Sequence, residues 1–147
     1  MKNDYESKND LFQYWLMEME DRLDEFIEEM PAQLMLDYSP ESLLRLEGWI
    51  LKTYPTVGDI LKETEKRRLD SLARYVGQVY RKNLNGKWKL FLDDPDNVYY
   101  ELPVIMISGL DPICPLTEVT ASVDRRKGDY IYGLFQKKAK RISDDFN

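Results

Sequence analysis

Hydrophobic periodicity switches from helical to alternating at Asn85-Gly86, and that switch limits the folds open to the chain. Before it, apolar residues recur three and four positions apart, the spacing of one helix face. After it, Trp88, Leu90 and Leu92 alternate with Lys87 and Lys89, as in a half-buried strand. Helices first and strands afterwards predict an α+β fold rather than an alternating α/β one. The expected architecture has N-terminal helices packed on one face of a small antiparallel sheet, of about three or four strands, with a C-terminal helix. At 147 residues and with no internal repeat, the chain suits one domain over 1–147. The polar ends, 1–8 and 143–147, are expected to be mobile.

The first helix should begin with Asn9 or Asp10 as N-cap and run to Pro31, which cannot continue it. Phe12, Leu16, Met19, Leu23, Phe26 and Met30 form its apolar line. A second helix starts at Ser39-Pro40-Glu41-Ser42 and stops before Pro55. A third begins after Thr56, buries Leu69, Leu72, Val76 and Val79, and carries a glycine, Gly77, in that line. Mid-helix glycine costs about 1 kcal/mol relative to alanine, so Gly77 predicts a close crossing with another element. Strands are expected over Lys87–Leu92, Val98–Ile107 and the β-branched run Leu116–Val123, and a final helix over Tyr130–Ile142. Pro103 within the second strand implies a bulge, an edge or the end of pairing.

Several kinds of chemistry are excluded outright. The chain has no histidine, so it contains no Ser–His–Asp or Cys–His nucleophile system and no HExxH zinc site. Its one cysteine, Cys114, cannot form an internal disulfide and reads as a buried, inert thiol. A net charge of −6 argues against a nucleic-acid surface spread over the domain. No leader or membrane-length apolar run is read, so the expected setting is the cytoplasm. No cofactor or metal is called for, and the expected state is a monomer or weak homodimer.

Asp93, Asp94 and Asp96 resemble part of a calcium loop, but Pro95 and Val98 break the required pattern and a solvated turn fits better. Glu101, Glu118 and Asp124 could converge as an acid–base pair, although nothing in their spacing requires it. The basic stretches Lys62–Lys82 and Arg125–Arg141 could touch phosphate, yet the first is interleaved with acids at salt-bridge spacing. The first helix differs from these. Glu18, Asp21, Glu25 and Glu28 form a line beside its apolar face, and Glu28 and Glu29 sit where the helix macrodipole opposes negative charge by about 0.3–1 kcal/mol. A dense carboxylate stripe suits steering toward a cationic protein cleft, which makes these four the candidate partner-binding residues.

Three segments also carry a resemblance: LDYSPESLLRLEGWI at Leu36–Ile50, RYVGQVYRKNLNGKW at Arg74–Trp88, and LPVI with PLTEVTASVDRRKGDYI at Pro115–Ile131. They resemble small bacterial immunity proteins, the antitoxins that accompany polymorphic toxins of the LXG type. The resemblance implies a non-enzymatic protein that neutralises a cognate toxin domain, often a nuclease, by direct binding. It marks no binding residues, and the acidic helix lies outside the matched segments. The alternatives are a carboxylate- or metal-dependent hydrolase and a small-ligand or regulatory module.

Overall fold

A computed structural model describes residues 3–145. It is α+β: seven helices and one two-stranded antiparallel sheet among those residues. The helices are α1 (Asp4–Met17), α2 (Met19–Glu29), α3 (Ser42–Thr53), α4 (Val57–Ile60), α5 (Lys66–Leu84), α6 (Pro115–Arg125) and α7 (Tyr130–Asp145), and β1 (Lys87–Leu90) pairs with β2 (Pro103–Met106).

α5 is the axis of the molecule. Ser71 to Tyr80 are buried without interruption, so this helix is enclosed on every side rather than along one stripe. α2, α6 and the hairpin surround it, while α7 packs on α3 and α6. Among the cations of the Lys62–Lys82 stretch, Lys62, Lys66, Arg67, Arg81 and Lys82 stay exposed, as a solvated helix face would, and Arg74 departs from that pattern. α2 lies along this helix, Arg74 is only 1% exposed, and Arg67 and Arg68 reach across to the acids of α2. Gly77 does mark a close approach, with the Trp88 ring of β1 lying directly over it. Asn85 ends α5 in the left-handed region (φ 58°), a conformation that asparagine tolerates better than most residues.

The first helix starts earlier than its apolar pattern suggests. Asn3 caps it by accepting from the Glu6 amide at 2.8 Å, and Lys8 bridges Asp4 and Glu101. Residues 4–8 and 143–145 are thus helical; the remainder of the two expected mobile ends, 1–2 and 146–147, lies outside the described residues. The expected continuous helix is also divided in two at Glu18. There the Trp15 carbonyl accepts a hydrogen bond from Arg74 Nη1 at 2.8 Å. A side chain bonded into a helix ladder is a known cause of bends.

The third expected strand is a helix, α6. Thr117, Val119, Thr120 and Val123 read as β-formers, but Pro115 opens the helix at its first turn and Val119, Ser122 and Val123 fall on one buried face. The hydroxyls of Thr117, Thr120 and Ser122 bond carbonyls of the preceding turn, which satisfies them within the helix, and burial of the Val119–Val123 face overrides the β preference. β2 is shorter than expected for a related reason. Asp94 and Asn97 fold the chain into side-chain-bonded turns, leaving Val98 80% exposed, and pairing begins only at Pro103, opposite Leu90. Ile105 is further bridged by Ile113, an isolated contact in place of a third strand.

Two side chains fasten α3 to its neighbours. The buried Glu47 carboxylate accepts from the Tyr130 and Ile131 amides (3.1 and 2.8 Å), satisfying donors that the start of α7 leaves open. At the other end of α3, the Arg126 guanidinium donates to the carbonyls of Leu51, Tyr54 and Pro55.

Candidate protein-binding surface

α2 buries Met19, Leu23, Phe26 and Met30 against the core, at about 1.5–3 kcal/mol for each large apolar side chain. That contact fixes where its carboxylates point. Glu18, Asp21, Glu25 and Glu28 are all exposed, as a surface line should be, but they do not form one uniform stripe. Glu18 occupies the bend itself. Glu25 lies on the flank toward α5 and pairs with Arg67 Nη2 at 2.7 Å, and Glu29 on the same flank reaches Arg68 at 3.9 Å. Asp21 and Glu28 face outward and have no ion-pair partner among the described residues.

Two further acids not singled out from the sequence, Glu20 and Asp24, are exposed and equally free of ion pairs among the described residues. On the helix, Asp21 and Glu28 lie opposite Met19, Leu23, Phe26 and Met30, Asp24 and Glu25 lie about 50° to either side, and Glu20 lies on the far flank, lining a groove with Arg81 and Lys87. A line drawn at spacings of three and four from Glu18 takes in Glu25 on the α5 flank and passes over Asp24. No basic residue occupies the last turn of α2 to balance the outward acids.

The groove between α2 and α5, about 230 Å³, is charged but internally matched. Arg22 bonds Asp70 and Ser71, Arg67 takes Glu25, and Arg68 lies over the Trp49 ring. Elsewhere along the first basic stretch, Lys62 pairs with Asp59 and Lys66 with Glu63. The unpaired cations among the described residues include Lys137, Lys140 and Arg141 on α7, which packs on α3 and α6 rather than on α2.

The structure does not bring Glu101, Glu118 and Asp124 together. Glu101 pairs with Lys8 beside α1, and Asp124 is exposed. Glu118 is buried in α6 and accepts from Tyr80 Oη (2.9 and 3.2 Å) and Lys138 Nζ (3.3 Å). This knot joins α5, α6 and α7 beside a cleft of about 270 Å³ that Cys114 also lines. Cys114 is buried, as its apolar neighbours suggest. The Asp93–Asp96 turn is held by Asp94, whose side chain accepts from the Asp96 amide. Among the described residues, no three acids or thiols are placed to share an ion.

Burial raises the Glu118 carboxyl above the ordinary glutamate value of 4.5, against the opposing pull of Lys138 and the Tyr80 bond. The folded protein therefore holds this proton more tightly than the unfolded chain. Its stabilising contribution is complete below the unfolded value and is lost as pH rises through the folded one. Glu118→Gln keeps an acceptor for Tyr80 and removes the titration. Relative to the natural chain, this variant should gain stability as pH rises from about 4.5 to about 8, read by urea unfolding across that range. Parallel stability–pH curves would contradict the assignment.

No family model, curated protein or solved structure matches this chain.

Proposed function

We propose that this protein is a non-enzymatic binding module of the immunity type, which neutralises a toxin by occupying a cationic face of it in the cytoplasm. The observation that carries the reading is the outward acidic set of α2. Asp21, Asp24 and Glu28 are exposed and free of ion pairs among the described residues, while Glu25 and Glu29 on one flank have cations beside them and Glu20 on the other lines a groove with Arg81 and Lys87. The fold gains nothing from concentrating like charges there, and the end of the helix disfavours them. Such a group raises the encounter rate with a positively charged partner and rejects acidic ones. Nucleases bind phosphate backbones through cationic clefts, so a nuclease domain is the partner chemistry this face suits. No helix among the described residues is long and apolar enough to cross a membrane.

The test is protection. A secreted-toxin domain encoded beside this chain should arrest growth when expressed alone in a bacterial host, and co-expression of the chain should restore growth. Asp21→Lys with Asp24→Lys and Glu28→Lys should abolish the rescue without reducing the amount of folded protein. Undiminished rescue by that triple variant would remove the acidic face from the account.

A further inference from the structure

α1 is apolar on two sides and covered on one. Phe12, Trp15 and Leu16 turn inward to the core, yet Leu11, Tyr14 and Met17 stand out at 68%, 63% and 77% exposure. A helix apolar around its circumference is normally enclosed, so a bare second face calls for a cover. These three residues are spaced three apart and lead directly to Glu18 at the bend, after which the exposed acids of α2 without an ion pair on its outer side are Asp21, Asp24 and Glu28. Leu11 and Tyr14 also line a recess with Glu18, Arg22, Lys66 and Arg67, whose cations are each paired with an acid, so the unpaired charge next to the anchor is that of the α2 carboxylates. Leu11 also borders a groove of about 250 Å³ whose apolar lining includes Phe12, Trp15 and Leu90, a recess able to receive a projecting side chain.

We infer that α1 and α2 form one docking surface, with Leu11, Tyr14 and Met17 as its apolar anchor and the acids of α2 as its charged border. Its occupant is a basic protein segment that presents an apolar ridge. Charge decides the choice: the acids would repel an anionic membrane surface and a second acidic face of this same chain. The inference rests on the binding-module reading and divides the labour within it. The α2 acids set the rate of encounter, whereas the α1 anchor sets the lifetime of the complex, because packed apolar and aromatic contacts dominate dissociation.

Two synthetic lysine-rich helical peptides of equal charge serve as probes, one with a leucine ridge and one with alanine in its place. The natural chain should bind the leucine peptide about tenfold more tightly, mainly through slower dissociation. Leu11→Ser with Met17→Ser should bind both peptides equally, at the affinity of the alanine peptide. Both positions are solvent-exposed, and an unchanged circular dichroism melt confirms that the variant folds. Asp21→Lys with Asp24→Lys should weaken both peptides and abolish the salt dependence of binding. Equal binding of the two peptides by the natural chain, or a preference that survives in the serine variant, overturns the anchor. Self-association of the natural chain that the serine variant loses would assign the face to a second copy and overturn it as well. Salt-independent binding of both peptides would instead defeat the acidic-face reading, so the two failures are distinguishable.

Discussion

Gly77→Leu should destabilise the protein by about 1–3 kcal/mol or more, the usual cost of forcing extra volume into a packed interior. Even a lone Cβ at Gly77 would lie 2.0 Å from Trp88 Cη2 and 2.3 Å from Cζ2. The indole cannot simply swing away. Its Nε1 donates to Gln78 Oε1 at 3.2 Å, its ring meets Trp15 edge-on at 4.8 Å, and Trp88 pairs with Ile105 in the sheet. Helix propensity pulls the other way, since alanine is favoured over glycine by about 1 kcal/mol in a helix interior. The sign of Gly77→Ala therefore separates the two effects. Urea unfolding should show Gly77→Ala destabilised in the natural background but stabilised once Trp88→Ala has removed the ring, a coupling that a double-mutant cycle measures directly. Stabilisation by Gly77→Ala with Trp88 in place would refute the close approach.

Arg74→Ala should cost about 3–5 kcal/mol, because it removes a buried cation around which several groups are arranged. Its Nε bonds Asp70 at 2.7 Å, its Nη1 bonds the Trp15 carbonyl at 2.8 Å, and the guanidinium lies 4.2 Å from the Trp15 ring centroid. Asp70 is one-third exposed and keeps Arg22 and the Trp15 indole as partners, so the ion pair supplies only part of this loss. The remainder comes from a carbonyl left without its partner at the α1–α2 bend and from the cavity beneath it. Arg74→Lys should fall between the two, since an ammonium retains the charge but cannot make the planar fork and stack together. Chemical unfolding of both variants provides the measurement. Equal stability of the lysine variant and the natural chain would show that charge alone matters at this position.

Long helical patterns and their stop signals were legible in the residues: Ser39-Pro40 before α3, Asn85-Gly86 after α5, and the glycine beneath Trp88. The α+β class followed from the change of period. The errors lie where a local preference met a tertiary partner. In α6, β-branched residues suggested a strand, but proline at the first turn and burial of the Val119–Val123 face made a helix acceptable. Arg74 fell within a stretch that reads as a solvated basic face, and only the packing of α1 and α2 shows it as a buried tie. For the candidate surface, the acidic character of the helix was plain from composition. Which acids are free was not, because that depends on Arg67 and Arg68 arriving from a helix some forty residues later, a separation that periodicity cannot report. The exposed apolar side of α1 was not singled out from the sequence: Leu11, Tyr14 and Met17 lie off the apolar line through Phe12 and Leu16, and the structure leaves them uncovered.

The central claim is that free carboxylates on α2 steer this protein onto a cationic partner, and association kinetics test it most directly. Binding to the neighbouring-gene toxin domain should be followed at low ionic strength and at about 0.15 M, where charges are screened beyond roughly 8 Å. The natural chain should associate fast at low salt and slow markedly as salt rises. Asp21→Lys with Asp24→Lys and Glu28→Lys should associate about tenfold more slowly at low salt, lose that salt dependence, and melt at nearly the same temperature. Reversing Lys137, Lys140 and Arg141 on α7 should leave association unimpaired. Unchanged association of the α2 variant, together with slowed association of the α7 variant, would contradict the account and move the interface to α7.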